Sequence, residues 1–322
     1  MAAMSEFAQP VSDAPSLVLG VLTYRRNDLL AAVLPRLADQ LRAAQQMGHQ
    51  VRLQVVDNDP DSGARSVVEG LELGVETRYA HEPRPGLSAA RNRLLTEAGE
   101  ARLLACIDDD EQPGEGWLAS LLQTWRESRA QAVTGPVRSE PEGEVDPWTE
   151  GTALFARPSH PTGSERPGLA TNNLLLDLDF VREHGLRFDD RFGLTGGEDS
   201  RFGQALRTAG GRIVWCDEAE VSETVPAARL ERRWINDRLV RFGESWVRVR
   251  GIDLKGKEAL MFRGTALVKG VMKTVEGQAK VVRARRENDP RTEGHWAGER
   301  AGGIGLVRGA LGINRQEYAR KG

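Results

Sequence analysis

Cysteine is scarce: Cys106 and Cys216 are the only two in 322 residues. Two cysteines cannot build a disulfide framework. Both sit in apolar, strand-like runs, so they read as buried free thiols of a reducing, cytoplasmic compartment. Histidine is also sparse. His49, His81, His160, His184 and His295 have neither metal-ligand nor catalytic spacing, and no Ser-His-Asp set emerges. The cysteines lack zinc spacing, and the Gly-Lys-Ser/Thr of a P-loop is missing. No run of eighteen apolar residues occurs, so no membrane-spanning helix is expected. Residues 1–15, MAAMSEFAQPVSDAP, hold no apolar stretch of a signal peptide and read as a disordered lead-in. The net charge of −3 carries no overall signal for a nucleic-acid partner, so any anion site has to be a local cluster.

What the chain does have is a strand–helix rhythm and enough apolar residues, 39%, for one large domain plus an appendage. Apolar runs at 17–22, 51–56, 75–80, 103–107, 132–137 and 212–215 read as buried strands. Helical patterns fall between them. One carries Leu30, Val33, Leu34, Leu37 and Leu41, with Asn27 or Asp28 as its cap and Pro35 expected to kink or delay it. Others span 62–71 and 117–125, start at a Ser88 cap, or end at Gly210 and Gly211 after Phe202, Ala205, Leu206 and Ala209. Steps this short predict an α/β, doubly wound, mainly parallel sheet flanked by helices. The stretch 140–168, rich in Pro, Gly, Glu, Thr and Ser, reads as a mobile segment facing substrate. Residues 16–250 form the expected main domain. Residues 251–322 are an expected basic, amphipathic helical tail, with Val268, Val271, Met272, Val275, Ala279 and Val282 on one stripe.

Chemistry gathers at strand ends. LLACIDDDEQP, 103–113, passes from an apolar run into Asp108, Asp109, Asp110 and Glu111, and Pro113 is expected to end the strand. In α/β folds ligands sit at such C-terminal strand ends. Side-chain alternation puts Asp108 and Asp110 on one face and turns Asp109 away. Paired carboxylates suit Mg²⁺ or Mn²⁺ beside substrate phosphates. Asp110 is the expected direct ligand and Asp108 its helper. Thr23-Tyr24-Arg25 and Asp57-Asn58-Asp59 end the first two strands on the same sheet edge. Tyr24 offers a stacking face, and Asp57 an acceptor for a base N–H. Gly86 and Arg91, within HEPRPGLSAARNRLL, bring an approachable backbone, a helix N-terminus and a cation to an anion. In Gly196-Gly197-Glu198-Asp199, a carboxylate can serve as general base for an acceptor hydroxyl. Each cluster also has an ordinary structural reading: solvated turns, surface arginines, dipole partners in a first helical turn. Lys and Arg on the tail favour an anionic membrane surface or a lipid diphosphate.

Taken together, VLTYRR, VVDNDP, EPRPGLSAARN, IDDDEQP, GPV, TNNLLL, FDDRFGLTGGEDSRF and DEAEVSETVP resemble the family 2 glycosyltransferases of GT-A fold, especially the glucosyltransferases of succinoglycan-type exopolysaccharide assembly. The resemblance runs in order from about residue 17 to 246. It implies an inverting transfer from a nucleotide-diphosphate sugar, usually UDP-linked, to a glycan or lipid-linked acceptor at the cytoplasmic membrane face, with Mg²⁺ or Mn²⁺. It implies donor contacts from Thr23, Tyr24, Arg25, Asp57, Asn58, Gly86, Arg91, Asp108 and Asp109. It further implies metal ligation by Asp110 and Asp108, catalysis by Asp199 with Glu198 beside it, and an acceptor side at Thr171 and Asn172. Trp148, inside the 140–168 segment, is read with that acceptor side. Many members place a late His on the metal; DEAEVSETVP offers Glu220 or Glu223 instead, and Glu223 is carried as a candidate third ligand. The alternatives are a sugar nucleotidyltransferase, and a non-catalytic glycan- or membrane-binding member of the same fold.

Overall fold

The computed structural model describes residues 14–157 and 159–313. Most of the expected lead-in, 1–13, and the end of the tail, 314–322, lie outside them. The apolar runs at 17–22, 51–56 and 103–107 become strands β1 (Leu17–Thr23), β2 (Val51–Asp57) and β4 (Leu103–Asp108). With β3 (Thr77–His81), β6 (Ala132–Thr134), β8 (Asn173–Asp177) and β9 (Ile213–Trp215) they form a seven-stranded sheet of order β3-β2-β1-β4-β8-β6-β9. The sheet is mixed and mainly parallel; β8 alone among these strands runs antiparallel to its neighbours β4 and β6.

Alternation along the strands sorts the core into two layers. Leu17, Leu19, Val21, Leu103, Ala105 and Ile107 face α1 (Asn27–Gln46) and α4 (Trp117–Ser128). Val18, Leu104 and, less deeply, Cys106 face α3 (Leu87–Glu97), α6 (Leu178–Glu183) and α7 (Glu198–Thr208). That parity decides which carboxylate at the end of β4 meets which helix.

Several local expectations change. α1 runs on through Pro35, and its N-cap position is Arg26, without a side-chain cap. Asn27 instead donates to the Gly63 carbonyl at 2.9 Å. Ser88 does not cap α3; Gly86 does, at φ 109°, and the Ser88 hydroxyl donates to the Asp189 carbonyl at 2.9 Å. β4 itself stops at Asp108, before Pro113. After a turn at Asp109–Asp110 the chain resumes as β5 (Glu111–Pro113), in a second sheet of order β5-β10-β7 with β7 (Val137–Pro141) and β10 (Val221–Val225). The expected strand at 132–137 is thus split between two sheets at Gly135 and Pro136.

The stretch 140–168 is not a free loop. Asp146 caps α5 (Pro147–Gly151), accepting from the Thr149 N–H at 2.7 Å. Residues 163–166 line up along β9, with Gly163, Trp215 and Arg166 N–H groups donating at 2.8–2.9 Å to Trp215, Ser164 and Ile213 carbonyls. The tail is docked as well. α8 (Arg232–Gly251), α9 (Gly256–Arg286) and α10 (Pro290–Ala310) share one buried cluster with α5, made of Trp148, Ile235, Val281 and Ala297. The seams are built on glycine. A Cβ on Gly294 would lie 1.9 Å from the Trp148 carbonyl oxygen, and one on Gly305 2.1 Å from that of Val240. The Gly-rich C-terminal run therefore lets helix backbones approach closely, as small residues do wherever helices pack tightly. Among the described residues no helix is long and apolar enough to cross a membrane.

Candidate active site

The C-terminal edges of β1 and β4 meet where the strand order reverses, and ligands of open α/β sheets bind at that switch point. Here it opens into a cleft of ≈ 1810 Å³. Its floor is Thr23–Arg26, Asp108–Glu111 and Thr171–Asn172. One wall is the start of α3 with the turn leading into α7, the other is residues 154–157 with the exposed edge of α8.

Strand parity governs the acidic end of β4. Asp108 falls on the α3 layer, where the buried Arg91 guanidinium is the main opposing charge acting on it. Burial pushes Asp108 up to about 7, Asp110 and Asp109 add repulsion, and Arg91 opposes the rise. Asp109 falls on the α1 layer. It is buried and accepts from the Thr23 hydroxyl at 2.8 Å and Arg26 at 3.0 Å. Asp110 accepts from the same Arg26 at 2.7 Å. So Asp110 does not share a face with Asp108 as expected. β4 stops at Asp108, and the turn swings Asp110 round to Arg26 beside Asp109. Nor does Asp109 point away from the cleft, which it lines.

Arg91 is itself committed. Its guanidinium forms an ion pair with Glu198, and both side chains are over 90% buried. Burial works against the Arg91 charge, but Glu198, Asp199 and Asp108 together outweigh it. Burial pushes Glu198 upward while Arg91 opposes. Gly197 in left-handed conformation starts α7, which sets Glu198 inward and leaves Asp199 half-buried at the cleft surface. Gly86 serves this junction too. At φ 109° it lets the Gly193 carbonyl come close, where a Cβ would sit 2.8 Å from that oxygen. The close approach that sequence reasoning assigned to a ligand is made by the loop before α7.

Glu111 was not singled out by sequence, beyond its place in the DDDE run. It is 1% exposed, and burial with the charges of Asp108, Asp110 and Glu223 raises it well above the usual carboxylate range. Asn172 donates to its Oε1 at 2.6 Å. Glu223 lies opposite it in the β10–β5 register and accepts from Ser139 at 3.1 Å and Arg157 at 3.0 Å. Of the two late glutamates, Glu223 lines the cleft, while Glu220 is exposed and paired with Arg138 at 2.7 Å. Glu111 Oε2, Thr171 Oγ1, Asn172 Oδ1 and Glu198 Oε2 belong to cleft residues and are buried without a hydrogen-bond partner among the described residues. Unsatisfied buried groups are costly and collect at functional sites.

Other expected residues stand apart. Asp57 is fully buried and saturated by the Asp59 and Ala64 N–H groups at 2.8 and 2.9 Å and the Tyr79 hydroxyl at 2.9 Å. It organises the turn after β2 and does not reach the cleft. Asn58 does reach the cleft, but its amide holds the Glu82 and Arg84 carbonyls at 2.7 Å. Arg25, at φ 55°, turns back to Asp59 and Asp61. Tyr24 presents an open ring to the cleft, 39% exposed. Trp148 is buried among α5, α8 and α10, under the Arg232 guanidinium. It has no access to an acceptor, because the segment carrying it folds onto the C-terminal helices. Arg26, Arg157 and the Trp234, Phe242 and Trp246 edge of α8 are cleft residues that sequence reasoning gave no role. Their approach depends on distant packing, although the basic and aromatic run from 229 to 246 was visible.

A family model described as glycosyl transferase family 2 matches residues 19–184. The succinoglycan biosynthesis protein ExoM of Rhizobium meliloti (strain 1021) is 38% identical over 234 residues, 70% of this chain and 72% of its own. This chain belongs to glycosyl transferase family 2. Solved structures place it in the GT-A fold. The mannosyltransferase PcManGT of Pyrobaculum calidifontis, in complex with GDP-Man and Mn²⁺, superposes with a TM-score of 0.60 at 16% identity, covering 94% of this chain and 89% of its own. GalNAc-T7 with UDP, GalNAc and Mn²⁺ gives 0.54 at 13% identity, covering 79% and 54%.

A divalent cation fits the residues of this glycosyltransferase. Burial, with the added charges of Asp108, Asp110 and Glu223, raises Glu111, and Glu111 Oε2 is buried and unpartnered among the described residues. Among the described residues no three His, Cys, Asp or Glu side chains converge into a complete metal cage. Carboxylates beside substrate phosphates are the donor set of a hard divalent cation.

Proposed function

We propose that this glycosyltransferase inverts configuration, taking a sugar from a UDP-linked donor to a hydroxyl of a glycan or lipid-linked saccharide in exopolysaccharide assembly at the cytoplasmic side of the membrane. The observation that carries the reading is the convergence, in one cleft, of Asp199, the Arg91–Glu198 pair and the carboxylates ending β4. The kinship with ExoM supports the assembly context. The nucleotide and Mn²⁺ complexes of the fold neighbours support the donor class.

Each residue then has a task. The open ring of Tyr24 stacks on the base. Arg91 faces the diphosphate, kept charged by Glu198, Asp199 and Asp108. Asp110 and Asp108, together with the donor phosphates, would hold Mg²⁺ or Mn²⁺, which when bound would neutralise charge on the diphosphate oxygens. Asp199, half-buried at the mouth of the cleft, takes the proton of the acceptor hydroxyl. The freed oxygen forms its bond to the anomeric carbon from the opposite face. The bond from that carbon to the diphosphate oxygen breaks, and the nucleoside diphosphate leaves with the electron pair. Arg91 stabilises the leaving charge from a fixed position, so no reorganisation is needed as that charge grows. Thr171 and Asn172, which line the cleft and carry buried polar atoms without a partner among the described residues, receive the acceptor.

Asp199→Asn tests the reading. A general base contributes ~10²- to 10⁴-fold, so transfer should fall by about that factor while nucleotide-dependent thermal stabilisation persists. Full turnover in the variant refutes the base assignment. Loss of nucleotide binding together with turnover refutes it too, because Asp199 would then be holding the donor.

A further inference from the structure

α9 presents a surface that nothing in the fold explains. Its inner face is small: Ala266, Gly270, Gly277, Val281 and Ala284 are buried against the rest of the protein. Its outer face is apolar. Met261, Val268, Val271, Met272, Val275 and Val282 are 37–72% exposed. They recur at helical spacing, with Met261, Val268, Val275 and Val282 seven residues apart. The stripe that the sequence offered as amphipathic is therefore not the packing face. The glycines pack and the large apolar residues look outward. Exposed apolar surface of this extent, bordered by polar groups, marks an interaction face.

The border is cationic. α9 carries eight Lys and Arg residues against Glu258 and Glu276. Lys257, Arg263, Lys269 and Arg286 are exposed and have no carboxylate partner within salt-bridge distance among the described residues. A second copy laid on this stripe would bring two such cationic rims together, which repels. A bilayer with anionic headgroups takes the apolar stripe between its acyl chains and the rim at its phosphates. The face also adjoins the cleft. Trp246 of the cleft wall stacks on Phe262 of α9 at 6.0 Å, with Lys269 5.7 Å from its ring, and Phe242 beside it is 49% exposed.

We propose that α9 is a peripheral membrane anchor whose exposed stripe docks on anionic lipid and sets the α8 side of the cleft at the bilayer surface. The docking needs no donor, metal or acceptor, so it stands or falls independently of the transfer chemistry. The test is flotation of the full chain, without nucleotide, on vesicles of phosphatidylcholine alone or with phosphatidylglycerol. The protein should float with the anionic vesicles, bind the neutral ones weakly, and detach in 0.5 M salt. V268E/V275E should lower partitioning at least ~10-fold with an unchanged helical circular dichroism spectrum. If that variant loses helicity, K257E/R263E, which leaves the stripe intact, should lower binding to anionic vesicles alone. Equal binding to neutral and anionic vesicles, no binding at all, or a solution dimer that V268E/V275E dissociates would each overturn the proposal, the last by assigning the stripe to self-association.

Discussion

Replacing Arg91 with Met separates what the buried ion pair does for the fold from what it does for the site. In the native protein Arg91 and Glu198 are over 90% buried and paired, and Glu198 Oε2 has no other partner. R91M removes the cation and leaves a carboxylate in the core, which costs about 3–5 kcal/mol when one partner of a buried pair is deleted. For a domain of this size that corresponds to a melting temperature lower by roughly 10 °C. The penalty has a pH signature. Burial already pushes Glu198 upward and Arg91 is the group opposing it, so in R91M the carboxyl takes up a proton instead of staying charged. The destabilisation should be full at pH 8 and much smaller at pH 5. R91M/E198L removes both charges and should recover most of the stability, with a coupling energy of ~2 kcal/mol or more, yet remain inactive because the cation proposed to face the diphosphate is gone. Urea melts of the four proteins at both pH values measure all of this. Equal destabilisation at the two pH values, or a coupling energy under ~0.5 kcal/mol, would show that the pair does not hold the α3–α7 junction together.

The acidic end of β4 predicts a second pH effect. Asp108 titrates near 7 in the folded state against about 4 when unfolded. The native state therefore holds its proton longer, and stability of the metal-free protein should fall as pH rises from about 4 to 7. A melting temperature that climbs through that window would contradict it. R26Q should lower the melting temperature of the metal-free protein and enlarge the stabilisation by Mn²⁺ with nucleoside diphosphate, since Arg26 holds the Asp109 and Asp110 carboxylates; an unchanged Mn²⁺ response means the two cations do not share those groups. Two glycines in helices should respond oppositely to Ala. G305A forces a Cβ to 2.1 Å from the Val240 carbonyl oxygen and should destabilise by more than ~2 kcal/mol. G264A meets nothing within 4 Å and should stabilise by ~0.5–1 kcal/mol through helix propensity, with thermal melts reading both.

Much was legible in the sequence because short-range rules governed it. Apolar runs of strand length, helical periodicities and the carboxylates at the end of β4 are local patterns. They were enough for a doubly wound sheet and for a site at its C-terminal edge. Strand alternation also separated Asp108 from Asp109 before any contact was known. Local pattern failed where the decisive partner was distant in the chain. Asp57 looked available because its turn did not reveal the Tyr79 hydroxyl arriving from β3. Trp148 looked like an acceptor-side residue because nothing near it disclosed that Gly294 would bring α10 against its carbonyl. Glu198 and Asp199 are neighbours of the same chemistry, and only the burial of Arg91 decides that one is its ion-pair partner and the other remains at the cleft surface. The α9 stripe was visible as amphipathic, but periodicity cannot say which side of a helix packs. Glycine allowed the backbones to meet on one side, and that left the large apolar residues facing outward. The sequence by itself determined the strands, the helices and the chemical types at their ends. Which carboxylate is paired, which stays at the cleft surface and which apolar face is left exposed depended on tertiary contacts, since burial and charge neutralisation exist only once remote segments meet.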